Sequence, residues 1–139
     1  MNKTTVLIRF LSGLVITALS FGVSVQAQDL QGPGELVFTV PVPAGLAKAD
    51  VKDVVVTTLV ARNWNIKEKG SDKAVGYLNH RGNEALVTLA FDDKKVEVSC
   101  VGWKVNSKGV REKPELPKGW LNNIKSDLGK RLTQASAKK

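Results

Sequence analysis

The sequence predicts an α+β fold in the order β-α-β-β-β-β-α: a five-stranded, mainly antiparallel sheet with two helices on one face. Three observations carry that expectation. Apolar residues recur at spacings of three and four in two stretches, Ala47 to Thr58 and Leu121 to Leu132, which is the signature of one buried helical stripe each. Short runs alternate apolar with polar residues, once before the first of these stretches and four times after it. The four later runs are joined by short polar turns, which suits antiparallel hairpins between neighbours.

Taken in order, Leu36-Val37-Phe38-Thr39-Val40 forms a first strand, stopped by Pro41 and Pro43. The first helix lies within Gly45 to Arg62, with Ala47, Val51, Val54, Val55 and Thr58 on its apolar side. The β-branched run Val54-Val55-Val56 lowers helix propensity, but the segment is too long for an ordinary strand and its periodicity is helical. Trp64 to Lys69, Ala74 to His80, Glu84 to Phe91 and Val96 to Val105 are the next four strands. Their turns are Gly70-Ser71-Asp72, Arg81-Gly82-Asn83 and Asp92-Asp93-Lys94-Lys95. Lys104 to Lys118, with Gly109, Pro114 and Pro117, reads as a loop. A last helix places Leu121, Ile124, Leu128 and Leu132 on one stripe, and from Thr133 the small, basic chain is expected to fray. Core candidates are Phe38, Val51, Val55, Trp64, Ile66, Val87, Leu89, Phe91, Val96, Val98, Ile124 and Leu128.

The first 27 residues have the form of an export signal. Lys3 and Arg9 are followed by 16 uncharged residues from Phe10 to Val25, and Val25-Gln26-Ala27 offers small residues at a cleavage site. The run is interrupted by Ser12, Gly13, Thr17, Ser20, Gly22 and Ser24, which favours cleavage over retention as a membrane span. The expected organisation is therefore a signal peptide (1–27), a flexible leader (28–34), one α+β domain (35–132) and a frayed tail (133–139). A soluble periplasmic or secreted protein without a transmembrane segment after cleavage is the expectation.

Loss of Lys3 and Arg9 with the signal leaves 19 basic residues against 13 acidic, a net +6 that favours anionic partners or serves solubility. Nucleic acid is disfavoured as a partner by the export signal. Cys100 is the only cysteine, so no internal disulfide forms within one chain, and its place in Val96, Val98, Cys100 makes it a small core hydrophobe.

The residues Arg62-Asn63-Trp64, Gly76-Tyr77-Leu78-Asn79-His80-Arg81 and Ala85 to Asp92, with the late Gly119-Trp120-Leu121-Asn122, resemble a group of small exported proteins and lipoproteins of bacteria. That uncharacterised group implies a compartment and a fold and implies no activity. This chain lacks the lipid-bearing cysteine of its lipoprotein members. The element order is similar to the TATA-binding-protein-like topology, and helix-grip folds use similar parts differently; neither likeness transfers a function.

Enzymatic constellations are scarce. His80 is the only histidine, and strand alternation with Leu78 is expected to point it away from the Cys100 face. One His and one Cys do not make a zinc site without carboxylates, and Asp92-Asp93 reads as turn chemistry beside Lys94-Lys95. Glu68, Glu84 and Glu97 have no spacing that pairs them and are expected at the surface. No glycine-rich phosphate loop is present. The expectation is a domain that binds and does no chemistry, without a cofactor or metal, its partner an envelope protein or an anionic ligand. The face opposite the helices would carry Lys67, Lys69, Leu86, Thr88, Glu97, Ser99, Val101 and Trp103, an aromatic among lysines. The candidate binding residues are Lys67, Lys69, Trp103, Lys104, Lys108 and Arg111. A structural role, with the open face or the first strand's edge pairing with another copy, is the alternative; a hydrolase is a third.

Overall fold

Alternation and helical periodicity place seven elements of the domain, and an eighth comes from tertiary pairing. The computed structural model describes residues 34–139. The expected signal peptide (1–27) and all of the expected leader except Gly34 lie outside the described residues. The elements are β1 (Glu35–Pro41), α1 (Lys48–Ala61), β2 (Asn65–Lys69), β3 (Lys73–His80), β4 (Asn83–Phe91), β5 (Lys95–Val105), β6 (Arg111–Pro114) and α2 (Lys118–Ala137).

The sheet runs β1-β5-β4-β3-β2 with every pairing antiparallel. The added strand β6 also pairs with β5, over Trp103 to Val105, whereas β1 takes the same edge from Lys95 to Cys100. Two short strands thus share one side of the 11-residue β5. Their junction needs Gly102. The Glu115 N–H donates to the Gly102 carbonyl at 3.0 Å, and a Cβ on Gly102 would collide with the Glu115 carbonyl oxygen. Gly102→Ala is therefore expected to push the β6 segment off the edge and to cost about 1–3 kcal/mol, read as a lowered urea midpoint.

On the helix-covered face, Ala85, Val87, Leu89 and Phe91 of β4 lie beside Val96, Val98 and Cys100 of β5, all buried. Helix α1 buries Val51, Val55, Thr58 and Leu59, so burial overrides its β-branched run. The Asp50 carboxylate accepts the Ala47 N–H at 2.9 Å and sits where the helix dipole favours an acid. Helix α2 buries Leu121, Ile124, Leu128 and Leu132, the stripe the spacing predicts. It does not fray at Thr133 but continues to Ala137. Ala135 packs on the core, the Ser136 hydroxyl donates to the Ala44 carbonyl at 3.3 Å, and Lys139 pairs with Asp50 at 3.2 Å. Of the core candidates, Phe38 and Ile66 are only half-buried, because they sit on the outer strands β1 and β2.

Two expected side-chain directions are reversed. A bulge between Ile66 and Glu68 leaves Lys67 as the extra residue and sets Lys69 opposite Ala74, so Lys69 shares the helix-covered side. Leu78 pairs with Ala85, which puts Leu78 and His80 on the Cys100 face after all. His80 nevertheless lies two strands across and four residues along from Cys100, roughly 15 Å or more by strand geometry.

Candidate functional site

The face of the sheet that no helix covers is the candidate site. Register sets its centre: Leu86 stands between Tyr77 and Val101, and Thr88 between Val75 and Ser99, with only Thr88 buried among these. One step along, Glu84 lies between Asn79 and Trp103. The Tyr77 hydroxyl donates to Glu84 Oε2 at 2.6 Å, and Arg111 Nε donates to Glu84 Oε1 at 2.7 Å. Arg111 also lies over the Trp103 ring, 5.7 Å from its centroid, while Lys67 Nζ lies 5.5 Å over Tyr77. The result is one connected array: Lys67, Tyr77, Glu84, Arg111, Trp103.

β6 carries Arg111 to this position. Asn106 Oδ1 accepts the N–H groups of Lys108 and Val110 at 2.9 and 3.0 Å, and Gly109 takes φ 82, which closes a tight turn and returns the chain along β5. Arg111-Glu112-Lys113-Pro114 carries no hydrophobic alternation, so only the Asn106 to Gly109 turn announced a returning strand.

The electrostatics follow from burial and pairing. Burial pushes the Glu84 carboxyl up, but the hydrogen bonds from Arg111 and Tyr77 and the Arg111 charge outweigh it and hold the group below the usual carboxylate range. Burial, then the Glu84 hydrogen bond and charge, raises the Tyr77 phenol. Each oxygen of Glu84 already has a donor, so the expectation of a free surface carboxylate is corrected: its side chain is only 13 % exposed. Around the apolar centre, Lys73 meets Glu68 at 3.7 Å and Lys95 meets Glu97 at 3.9 Å. The Trp103 indole N–H is buried without a hydrogen-bond partner among the described residues, a state that costs about 1–3 kcal/mol.

Of the residues singled out from sequence, Lys67, Trp103 and Arg111 come together on this face. Trp103 is half-buried beneath Arg111, so it is neither a bare platform nor core. Lys69 is on the other side of the sheet. Lys104, exposed, pairs with Lys113 on the helix side of β5, and Lys108 sits in the exposed turn. Tyr77 and Glu84 are not among the candidate binding residues that the sequence offers. Their link is diagonal across a hairpin, visible in the sequence only once the β3–β4 register is fixed.

Elsewhere, Asp92 Oδ1 accepts the N–H groups of Lys94 and Lys95 at 2.7 and 2.9 Å, which makes it a turn residue. Those two bonds, ahead of the nearby lysine charges, lower its pKa. Among the described residues no group of three or more His, Cys, Asp and Glu side chains converges to hold a metal ion, and no helix is long and apolar enough to cross a membrane. Compared with protein-family models, curated proteins and solved structures, the chain matches none of them.

Proposed function

We propose that this protein is an exported, non-enzymatic binding domain of the cell envelope that docks a protein partner on the open face of its sheet. The single observation that carries the reading is the composition of that face: an apolar centre of Val75, Leu86, Ala90 and Val101, bordered by Tyr77, Trp103 and Arg111. Trp, Tyr and Arg around a water-excluding centre are the residue types that dominate protein–protein binding energy. An anionic ligand is the weaker choice. Lys73, Lys95 and Arg111 already face Glu68, Glu97 and Glu84, so the cations of this face are largely spoken for.

A photoreactive residue at position 86 in the full chain, expressed in cells, tests this. A discrete adduct with a second protein is expected from position 86 and not from position 130 on the outer side of α2. Identical patterns at both positions would remove the open face from consideration. Export is tested separately by intact mass, which is expected to place the mature N-terminus at Gln28.

Self-assembly is supported by a different observation. Among the described residues β1 is an edge strand, apolar except for Glu35 and Thr39, and Leu36 on it is 56 % exposed. A position-86 or β1 adduct made of two copies of this chain would favour that reading, and sedimentation as a monomer at high concentration would remove it.

A further inference from the structure

On the helix side of the sheet, the end of α1 and the start of α2 leave a pocket of about 370 Å³ against the last residues of β3. Its walls follow from the way α1 stops. Asn63 takes the left-handed φ of 66°, and the Trp64 N–H turns back to the Leu59 carbonyl at 3.0 Å. This sends the Trp64 ring inward, 4 % exposed, and leaves Asn63 at the rim. Trp120, half-buried, meets Trp64 at 5.8 Å between centroids and 87°, so two indoles form a corner.

The polar rim is of two kinds. Arg62 is engaged: its Nε and Nη2 donate to the two oxygens of Asp127 at 2.8 and 3.3 Å, which cancels both charges and fixes the rim. The side chains of Asn63, His80 and Asn123 make no hydrogen bond to another described residue. Two amides and an imidazole thus surround an aromatic corner, with no unmatched carboxylate or guanidinium among the described residues beside them.

That chemistry selects a ligand class. A phosphate or carboxylate would find Arg62 already taken. A purely apolar ligand would strand the two amides and the imidazole. A ring with an apolar C–H face and hydroxyls at its edge satisfies both parts, and an Asn amide, with two donors and an acceptor, can serve adjacent hydroxyls at once. The volume lies at the lower end of the range for small-molecule sites. We propose that the corner of Trp64 and Trp120 is a binding site for a neutral saccharide, the sugar ring lying against indole and its hydroxyls on Asn63, His80 and Asn123. This site is separate from the open face and stands whether or not a protein docks there.

The indole N–H resonances test it, since the chain holds three tryptophans, Trp64, Trp103 and Trp120. Titration of the purified protein with cellobiose and with the N-acetylglucosamine dimer is expected to move the Trp64 and Trp120 signals saturably and to leave Trp103 in place. His80→Ala, Asn123→Ala and Asn63→Gly, the last keeping the left-handed backbone unstrained, are expected to weaken binding about threefold to tenfold each with the thermal midpoint nearly unchanged. The proposal is overturned if neither sugar moves these two signals in the folded protein, or if the shift appears at Trp103. It is equally overturned if the three variants bind as tightly as the parent, or if glucose 6-phosphate binds more tightly than the neutral sugars.

Discussion

Glu84→Ala is expected to destabilise the domain by about 3 kcal/mol, because it leaves the Arg111 guanidinium and the Tyr77 hydroxyl without their shared acceptor in a half-buried setting. The carboxylate is 13 % exposed and Arg111 27 %, so water replaces the lost partner only in part. Urea titration should show a lower midpoint at an unchanged slope, since the surface exposed on unfolding is the same. Arg111→Ala in the Glu84→Ala background should cost less than Arg111→Ala alone, the mark of a coupled pair. Independent effects would mean that the array on the open face is not one unit.

The same pair sets an acid limb. The Glu84 carboxyl is held below its ordinary value in the fold, so its contribution is complete above the unfolded carboxylate pKa and is lost as pH falls through the lower folded value. Asp92 and Asp127 shift in the same direction, Asp127 chiefly through the Arg62 hydrogen bond. Glu84→Gln should flatten the acid limb relative to the parent. Tyr77, raised in the fold, acts on the alkaline side, where its contribution fades as pH climbs past the ordinary phenol value.

Much of this architecture was legible because period-2 and period-3.6 patterns survive wherever one face is buried. The α2 stripe and the alternation of β4 and β5 needed nothing else. What escaped was decided by pairing at a distance. β6 has no apolar pattern and forms because Asn106 and Gly109 turn the chain back onto β5, where Arg111 finds Glu84 and Trp103. Lys69 lies on the side opposite to the one simple alternation gives, because a single extra residue at Lys67 flips everything after it. The face of His80 depends on the partner of Leu78, which no local pattern supplies. For the candidate site, Trp103, Arg111 and Lys67 stood out as residue types, whereas Tyr77, Glu84 and the Trp64–Trp120 corner became visible only once the strands and helices were assembled.

Alkaline pH is expected to expose a large linkage at Cys100. Cys100 is 1 % exposed, and burial, reinforced by the nearby Glu35 charge, pushes its thiol from an ordinary 9.0 up to about 12. The folded state therefore keeps the proton while the unfolded chain gives it up. Stability from this group is fully present below about pH 9 and declines as pH rises toward 12, by up to about 4 kcal/mol if the whole shift is realised. Cys100→Ala removes the titration at the expense of a small cavity, so it should lower stability near neutral pH yet flatten the fall between pH 9 and 11. Chemical denaturation of parent and variant across that range reads the difference directly, and parallel curves would exclude the thiol as its source. Thiol reagents add a second readout: because the sulfur is neutral and enclosed, modification of the parent should proceed only as fast as the β4–β5 core opens, and should quicken together with the alkaline loss of stability.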